Sequence, residues 1–223
     1  MNKISFLVIS TTLKETLVIL KDKKNKIYKK TLTGKKSGNY LSVAVKEVME
    51  KAKLSIKSIE DFGVDIGPGS FTGIRVAIST LQGLLINDPD KEVYSFFSSD
   101  ILYFSAIKNS VLKEKKVSVL KKARENAAYV TLYEKGEMIF GPEMVFDNSL
   151  NKIIGDSVLI NEEAGYFKQR CNLKNEIEII NIDEKVVFEV VKKSKKVKIK
   201  DLKPLYLQKP IAVENYEKNK NKI

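Results

Sequence analysis

A glycine-proline-glycine turn between an apolar strand and an apolar helix constrains this chain most. The block covers residues 65–86 and reads DIGPGSFTGIRVAISTLQGLLI. Gly67 and Gly69 can adopt backbone angles that a Cβ forbids, and Pro68 fixes φ between them. Ser70 follows at the position where an N-cap accepts hydrogen bonds from free N–H groups of the first helical turn. The sequence therefore predicts a rigid structural turn at these glycines and a helix that starts at Ser70.

The predicted helix carries apolar residues in every direction, and Arg75 is its only charge. A helix that lies on a sheet needs a single apolar stripe, so a second apolar surface predicts a second cover. Gly73, Ala77 and Thr80 form a line of small residues at helical spacing, which lets another helix or a sheet approach closely. The apolar positions are Phe71, Ile74, Val76, Ala77, Ile78, Leu81, Leu84, Leu85 and Ile86.

The same glycines also suggest a phosphate-binding loop, because a glycine turn before a helix presents free N–H groups to anions. The spacing disfavours this interpretation. The dinucleotide fingerprint has two residues before its third glycine and this chain has three, while Ile74 and Arg75 stand where the Walker pattern needs Lys and Ser or Thr. We favour tight packing over phosphate binding. Asp65 is expected to be a solvated strand end, with a general-base or metal role as the alternative.

Composition excludes several kinds of catalysis. The 223 residues contain no histidine, which removes the usual general base and any Ser-His or Cys-His nucleophile pair. Cys171 is the single cysteine, so it forms neither an internal disulfide nor a zinc site. The sequence predicts no catalytic and no metal-binding residue. The apolar run at residues 4–9 is too short for a signal peptide, no segment resembles a membrane helix, and we expect a cytoplasmic protein.

A formal net charge of +12 raises the possibility of a nucleic-acid partner. Of the 40 basic residues only Arg75, Arg124 and Arg170 are arginines, whereas phosphate and base recognition relies on the arginine fork. The scattered lysines favour a background compositional bias over a dedicated RNA surface. The lysine clusters at 192–200 and 218–222 remain candidates for helping a partner to hold RNA.

Hydrophobic periodicity predicts an α/β protein built from two successive βββαβα units. The N-terminal lobe is predicted to cover residues 1–100 and the C-terminal lobe residues 101–223, with roughly the last 20 residues packing back on the N-terminal lobe. Predicted strands cover residues 4–9, 17–20, 27–32, 62–66, 93–97, 117–120, 129–133, 138–140, 158–160 and 177–182. Predicted helices cover residues 39–54, 70–86, 98–109, 164–170 and 184–193, with a further helix near residue 150.

The string GPGSFTGIRVAISTLQGL resembles the TsaB (YeaZ) family, the dimerisation subunit of the bacterial tRNA threonylcarbamoyladenosine machinery. The likeness continues in FLVISTT, VYSFFSSDIL, KKARENAAYVTLY and PLYLQKP. The resemblance implies an actin-like ATPase (ASKHA, ribonuclease H-like) fold that is catalytically degenerate. It also implies a heterodimer with a TsaD-like subunit, which transfers the threonylcarbamoyl group to the adenosine beside the anticodon. A TsaE-like ATPase would join this complex.

Four departures from the family pattern bear on nucleotide binding. Ser10-Thr11-Thr12 stands where the family has Asp-Thr-Ser, and Ser37 replaces a frequent histidine. Lys122-Ala123-Arg124 replaces an Asp-Ala-Arg bend, and Asn161-Glu162-Glu163-Ala164 replaces a Gly-Asp-Gly-Ala loop. These changes remove acids and glycines that a nucleotide would use. We therefore expect no cofactor in this chain, with ATP and a metal ion on the partner subunits.

By resemblance, the helices at about 41–53 and 70–86 form the partner interface, which a homodimer would also use. We expect a noncatalytic subunit that binds and activates its TsaD-like partner. An ATP-dependent transferase or kinase of the same fold is the alternative, an RNA-binding protein is a third interpretation, and direct contact with tRNA stays open. The predicted interface residues are Leu41, Val45, Val48, Ser70, Phe71, Thr72, Gly73, Ile74, Arg75, Ala77, Ile78, Thr80 and Leu81.

Overall fold

A computed structural model describes residues 4–34, 37–108, 111–161 and 163–207. The described residues form two β-sheets with helices packed on them. The first sheet has the strand order β11-β5-β4-β1-β2-β3 and the second has the order β10-β9-β6-β7-β8. The strands are β1 (Phe6–Ser10), β2 (Thr16–Lys21), β3 (Ile27–Leu32), β4 (Asp61–Asp65), β5 (Glu92–Phe96), β6 (Val117–Lys122), β7 (Ala127–Glu134), β8 (Glu137–Phe146), β9 (Val158–Ile160), β10 (Ile177–Glu178) and β11 (Lys195–Lys198).

Both sheets follow one plan. In the first, β1, β2 and β3 form an antiparallel meander, while β4 pairs parallel to β1 and β5 pairs parallel to β4. In the second, β6, β7 and β8 form the meander, while β9 pairs parallel to β6 and β10 pairs parallel to β9. This repeat confirms the predicted α/β architecture of two βββαβα units and its actin-like character. The last predicted strand of the second unit is shorter than expected and ends at Glu178.

In the described ranges, six α-helices connect these strands: α1 (Leu41–Ala52), α2 (Phe71–Leu84), α3 (Ser98–Lys108), α4 (Asp147–Ile154), α5 (Ala164–Arg170) and α6 (Glu184–Lys193). Helices α1 and α2 cover one face of the first sheet, and α6 covers the other face. Strand β1 is therefore buried on both sides, which explains its unbroken apolar sequence FLVI. Helices α4 and α5 bury their apolar residues against the second sheet.

The chain returns to the first sheet after residue 183. Phe188 of α6 packs on Phe6, with ring centroids 5.6 Å apart, and β11 pairs antiparallel with β5 at the sheet edge. Further along, the Leu205 N–H donates to the Ile66 carbonyl over 2.9 Å. The predicted return of the C-terminal end falls largely on residues 208–223, which lie outside the described residues. The division into lobes at residues 100 and 101 stays a prediction.

The lysine cluster at 192–200 lies at the end of α6, along β11 and in the short turn that follows. Lys196 pairs with Asp61, and Lys198 pairs with Asp90. Lysines on an edge strand also discourage pairing with other chains. Part of this cluster therefore has a structural explanation, while the cluster at 218–222 lies outside the described residues.

Candidate functional site

The turn before α2 is shaped by its glycines. Gly67 has a φ of +111°, in the region that favours glycine, and its N–H donates to Asp65 Oδ1 over 2.9 Å. A Cβ on Gly69 would lie 2.6 Å from the Cβ of Thr12, so this turn packs directly on the turn after β1. The Ser70 hydroxyl accepts from the Gly73 N–H over 3.3 Å, as an N-cap does. The helix therefore starts from a fixed position beside β1.

Helix α2 buries a single stripe. Ile74, Ala77, Ile78 and Leu81 face the core of the first sheet and are almost fully buried. The other side is mixed, because polar residues lie among its apolar ones. The second apolar surface predicted from the sequence is therefore smaller and more polar than expected.

The predicted interface residues divide by burial. Those that face the chain's own core are Leu41, Val45, Val48, Ile74, Ala77, Ile78 and Leu81. Those that reach the surface, wholly or in part, are Ser70, Phe71, Thr72, Gly73, Arg75 and Thr80. The first group cannot meet a partner directly, because a helix on a sheet uses its apolar stripe for that sheet. The interface itself stays a prediction.

Two exposed residues, one just before α1 and one on it, are absent from the predicted interface residues. Tyr40 is 60% exposed and Val43 is 50% exposed, whereas the chosen residues of α1 are buried. The signal was available in the sequence, because Val43 is an apolar residue outside the stripe formed by Leu41, Val45 and Val48.

An aromatic and arginine cluster lies on the exposed side of α2. The Arg75 guanidinium carbon is 3.9 Å from the centroid of the Phe71 ring, and the Tyr206 ring centroid is 5.5 Å from that of Phe71. Beside them is a groove of about 460 Å³. Arginine and aromatic residues carry much of the binding energy in protein interfaces. The groove is lined by Phe71, Thr72, Arg75, Val76, Ser79 and Thr80.

The prediction for Asp65 is wrong. Its side chain is completely buried at the end of β4 rather than solvated. Oδ2 accepts from the Ser10 hydroxyl over 2.6 Å and from the Thr12 hydroxyl over 2.5 Å, while Oδ1 accepts from the Gly67 N–H. The hydroxyls that follow β1 therefore satisfy a buried carboxylate, since parallel β1 and β4 end side by side.

Lys121, a residue that sequence reasoning did not single out, reaches this carboxylate's neighbours from the second sheet. Its Nζ donates to the Thr12 carbonyl over 2.9 Å and to the Pro68 carbonyl over 3.3 Å, and it contacts the Ser98 hydroxyl. Burial lowers the pKa of Lys121, while the negative charge of Asp65 acts in the opposite direction. A lysine near the end of a strand is usually exposed. The neighbouring residues in the sequence therefore gave no indication that Lys121 is buried.

A second, partly buried polar pair lies nearby. The Tyr133 hydroxyl donates to Asp100 Oδ1 over 2.6 Å. Burial raises the pKa of Asp100, and the bond from Tyr133 opposes that shift. Burial also raises the pKa of Tyr133, further supported by the Asp100 charge. At neutral pH this pair combines a phenol donor with a carboxyl acceptor.

A cleft of about 680 Å³ opens beside Thr12 and Lys121. Lys14, Lys29 and Asn161 contribute polar groups to its lining, and Leu17, Ile19 and Leu102 contribute apolar ones. The bend predicted at Lys122-Ala123-Arg124 is present between β6 and β7, and the Arg124 guanidinium carbon lies 5.1 Å from the Phe146 ring centroid.

The described residues contain no group of three acidic, cysteine or histidine side chains that could hold a metal ion. Burial raises the pKa of the Cys171 thiol, which disfavours its thiolate. Within the described part of the chain, no helix has both the length and the apolar character needed to cross a membrane.

Two sheets with one repeated strand order and an intervening cleft define a two-lobed protein of the actin-like class. Two solved structures share the fold. An uncharacterized protein with similarity to peptidase YEAZ from Pseudomonas aeruginosa has a TM-score of 0.74 at 18% identity, over 92% of this chain and 100% of that one. YeaZ from Pseudomonas aeruginosa has a TM-score of 0.71 at 18% identity, with the same coverage of both chains.

Sequence comparison identifies the family. Residues 30–153 match the family model described as TsaD: tRNA N6-adenosine threonylcarbamoyltransferase. The match spans more than half of the chain, so the chain belongs to this family. With its YeaZ-like fold, this confirms the resemblance to TsaB (YeaZ). Family membership associates the chain with tRNA modification.

Proposed function

We propose that this chain is a noncatalytic subunit that binds and activates a TsaD-like catalytic subunit. That subunit would transfer the threonylcarbamoyl group to the adenosine beside the anticodon of tRNA. The observation that carries the proposal is the exposed cluster of Phe71, Arg75 and Tyr206, which lies next to a groove on α2. The fixed turn before α2 positions Phe71 and Arg75, so a partner would bind a surface that is already organised.

The noncatalytic role is supported by the hydrogen bonds that the buried Asp65 carboxylate already accepts within the chain. Asp65 accepts hydrogen bonds from Ser10, Thr12 and Gly67, and the Lys121 ammonium lies against Thr12. A metal-bound nucleotide needs carboxylate oxygens that can accept from metal-bound water. These residues do not fit such a group. We therefore place ATP and the metal ion on the catalytic partner and on a TsaE-like ATPase.

The same helix face would support a homodimer when the catalytic partner is absent. Both associations would then compete for one surface. Titration of the catalytic subunit into this chain would convert the homodimer into the heterodimer. A ternary species that keeps the homodimer would contradict a shared surface.

Arginine substitutions on the exposed side of α2 test the interface. Ala77→Arg is unsuitable, because Ala77 is fully buried and its replacement would test folding. Thr72 and Ser79 line the groove, so Thr72→Arg and Ser79→Arg change the groove and leave the core intact. Each is expected to weaken association with the TsaD-like subunit by about tenfold or more in calorimetric titration.

Ser149→Arg on α4 is the matched control, because Ser149 is also an exposed hydroxyl residue of a helix, but that helix packs on the second sheet. It should leave association unchanged. If the two groove variants bind as tightly as the unaltered chain, this face of α2 is not the interface.

The rival function is an ATP-dependent transferase or kinase of the same fold. The cleft of about 680 Å³ favours it, since Lys14 and Lys29 line it and could contact phosphates. The acidic side chains of Glu15, Glu163 and Glu184 in the same lining oppose it. Calorimetric titration of the isolated chain with Mg·ATP separates the two proposals. Micromolar binding would support the enzyme, and absence of binding alongside tight association with the TsaD-like subunit would support the noncatalytic subunit.

A further inference from the structure

Lys121 joins three segments that are distant in the sequence. It comes from β6 of the second sheet, and its Nζ donates to the carbonyls of Thr12 and Pro68. The same nitrogen contacts the hydroxyl of Ser98 at the start of α3. One ammonium group therefore holds the turn after β1, the turn before α2 and the start of α3 together.

The hydrogen-bond directions show why an ammonium suits this position. Carbonyl oxygens only accept, so the groups of Thr12 and Pro68 require a donor. The Thr12 hydroxyl donates to Asp65 and accepts from Lys121 over 3.0 Å. Its 2.5 Å contact with Ser98 is then donated by Ser98, which in turn accepts from Lys121. The three ammonium protons are shared among these four acceptors, next to the buried carboxylate.

We propose that Lys121 is a positioning residue, a tethered cation from the second sheet that fixes the Gly67–Gly69 turn and, through it, the partner-binding face of α2. This inference rests on the proposed function. Lys121 is buried and cannot touch a partner itself. It acts because Pro68 lies between the two glycines of the turn that starts α2. Removal of the ammonium would leave the Pro68 carbonyl unpaired and the buried Asp65 carboxylate without its nearby positive charge, and both changes would loosen that turn.

The next residue offers a matched control. Lys122 is exposed, and its Nζ lies 4.2 Å from the centroid of the Tyr166 ring, on the surface of the second sheet. Lys121→Met and Lys122→Met remove the same charge from adjacent positions and keep most of the side-chain volume. A simple effect of net charge would alter both variants equally, whereas the positioning role concerns Lys121 alone.

Two measurements on these variants test the inference. Lys121→Met is expected to increase amide hydrogen exchange in residues 66–73 and to weaken association with the TsaD-like subunit by about fivefold or more. Lys122→Met is expected to change neither. Unchanged exchange in residues 66–73, or unchanged affinity despite faster exchange, would overturn the proposal.

A rescue experiment covers the case in which Lys121→Met does not fold. Lys121→Ala removes three carbons and the nitrogen, a fragment that matches propylammonium. Propylammonium should raise the thermal midpoint of Lys121→Ala above the value in equimolar tetramethylammonium, whose cation cannot donate hydrogen bonds. Equal midpoints would contradict the need for a donor cation.

Failure of the role proposed for Lys121 can be distinguished from failure of the proposed function. If the unaltered chain does not bind the TsaD-like subunit, the proposed function fails, and hydrogen exchange alone decides whether Lys121 fixes the turn. If the unaltered chain binds and Lys121→Met binds equally well, the proposed function stands and the role of Lys121 is rejected.

Discussion

Phe71 and Arg75 lie one helical turn apart on α2, and the Arg75 guanidinium carbon stands 3.9 Å from the centroid of the Phe71 ring. Phe71 nevertheless remains 46% exposed. The guanidinium packs on a ring that remains partly open to solvent and restricts its motion. A partner would therefore meet an aromatic group that loses little additional freedom on binding.

The first prediction concerns this ring. Phe71→Ala is expected to weaken association with the TsaD-like subunit by about 30-fold or more, as removal of an interface hot spot does. Because half of the ring is exposed, the free energy of unfolding should change by only about 1 kcal/mol. Calorimetric titration measures the first quantity and urea denaturation the second.

Ile139→Ala provides the control, since Ile139 is 47% exposed on the second sheet. Comparable losses of affinity in both variants would show that the effect is general surface hydrophobicity. In that case the cluster on α2 has no special part in association.

The second prediction compares two glycines at the ends of the same block. A Cβ on Gly69 would lie 2.6 Å from Thr12, so Gly69→Ala should lower the free energy of unfolding by about 1–3 kcal/mol through overpacking. Gly83 lies on α2 with nothing within 4 Å of its added Cβ. Gly83→Ala should therefore raise that free energy by about 0.5–1 kcal/mol, because alanine favours the helix. Urea denaturation of both variants gives the signs, and a stable Gly69→Ala protein would contradict the close approach to Thr12.

Most strands of both sheets were predictable, because the residues of each strand and of the turns beside it mark the strand in the sequence. Short apolar, β-branched runs separated by polar turns predicted both meanders, and the Lys135-Gly136 turn joins β7 to β8 as expected. Strand β11 was missed, because its sequence KKVK is mostly charged. It forms where the free edge of β5 supplies hydrogen-bond partners, with Lys195 opposite Ser95 and Val197 opposite Val93. Tertiary pairing thus overrides a low strand propensity.

The site was only partly predictable for a related reason. The block at 65–86 locates the turn and the helix, since both depend on neighbouring residues. The environment of Asp65 depends on Ser10, 55 residues away, and that of Lys121 depends on Thr12, 109 residues away. Hydrophobic periodicity within one segment does not indicate contacts between residues so far apart in the sequence. Packing on the first sheet also decides which apolar residues of α2 are buried and which stay exposed to a partner. Because the apolar residues of α2 do not form one clear stripe in the sequence, the sequence does not show which of them are buried.

The third prediction tests the return of the chain to the first sheet. Phe188 is almost fully buried against Phe6, so Phe188→Ala should lower the free energy of unfolding by about 3–5 kcal/mol. Glu189→Ala on the exposed side of α6 should change it by about 0.5 kcal/mol at most. Hydrogen exchange would localise the effect: β1 should lose protection in Phe188→Ala. A loss confined to α6 would mean that the first sheet does not depend on this helix.

The fourth prediction concerns acid. Burial raises the pKa of Asp100 above its ordinary value of 3.8, so the folded chain holds this proton at pH values where the unfolded chain has released it. Folding therefore takes up a proton between the two pKa values, and this group's contribution to stability falls as pH rises from about 3.8 through the folded pKa. Asp100→Asn cannot titrate. The unfolding free energy of the unaltered chain, minus that of the variant, should fall with rising pH in this window, by about 1.4 kcal/mol per pH unit at most.

Tyr133→Phe sharpens this test, because the hydrogen bond from Tyr133 lowers the pKa of Asp100 and thus opposes the effect of burial. Without that bond the folded pKa should rise further, and the window in which stability falls should extend to higher pH. Urea denaturation at closely spaced pH values, with the double variant Tyr133→Phe/Asp100→Asn as the reference for Tyr133→Phe, isolates the carboxyl. A pH-independent difference between each protein and its reference would show that Asp100 ionises in the folded chain as it does in water.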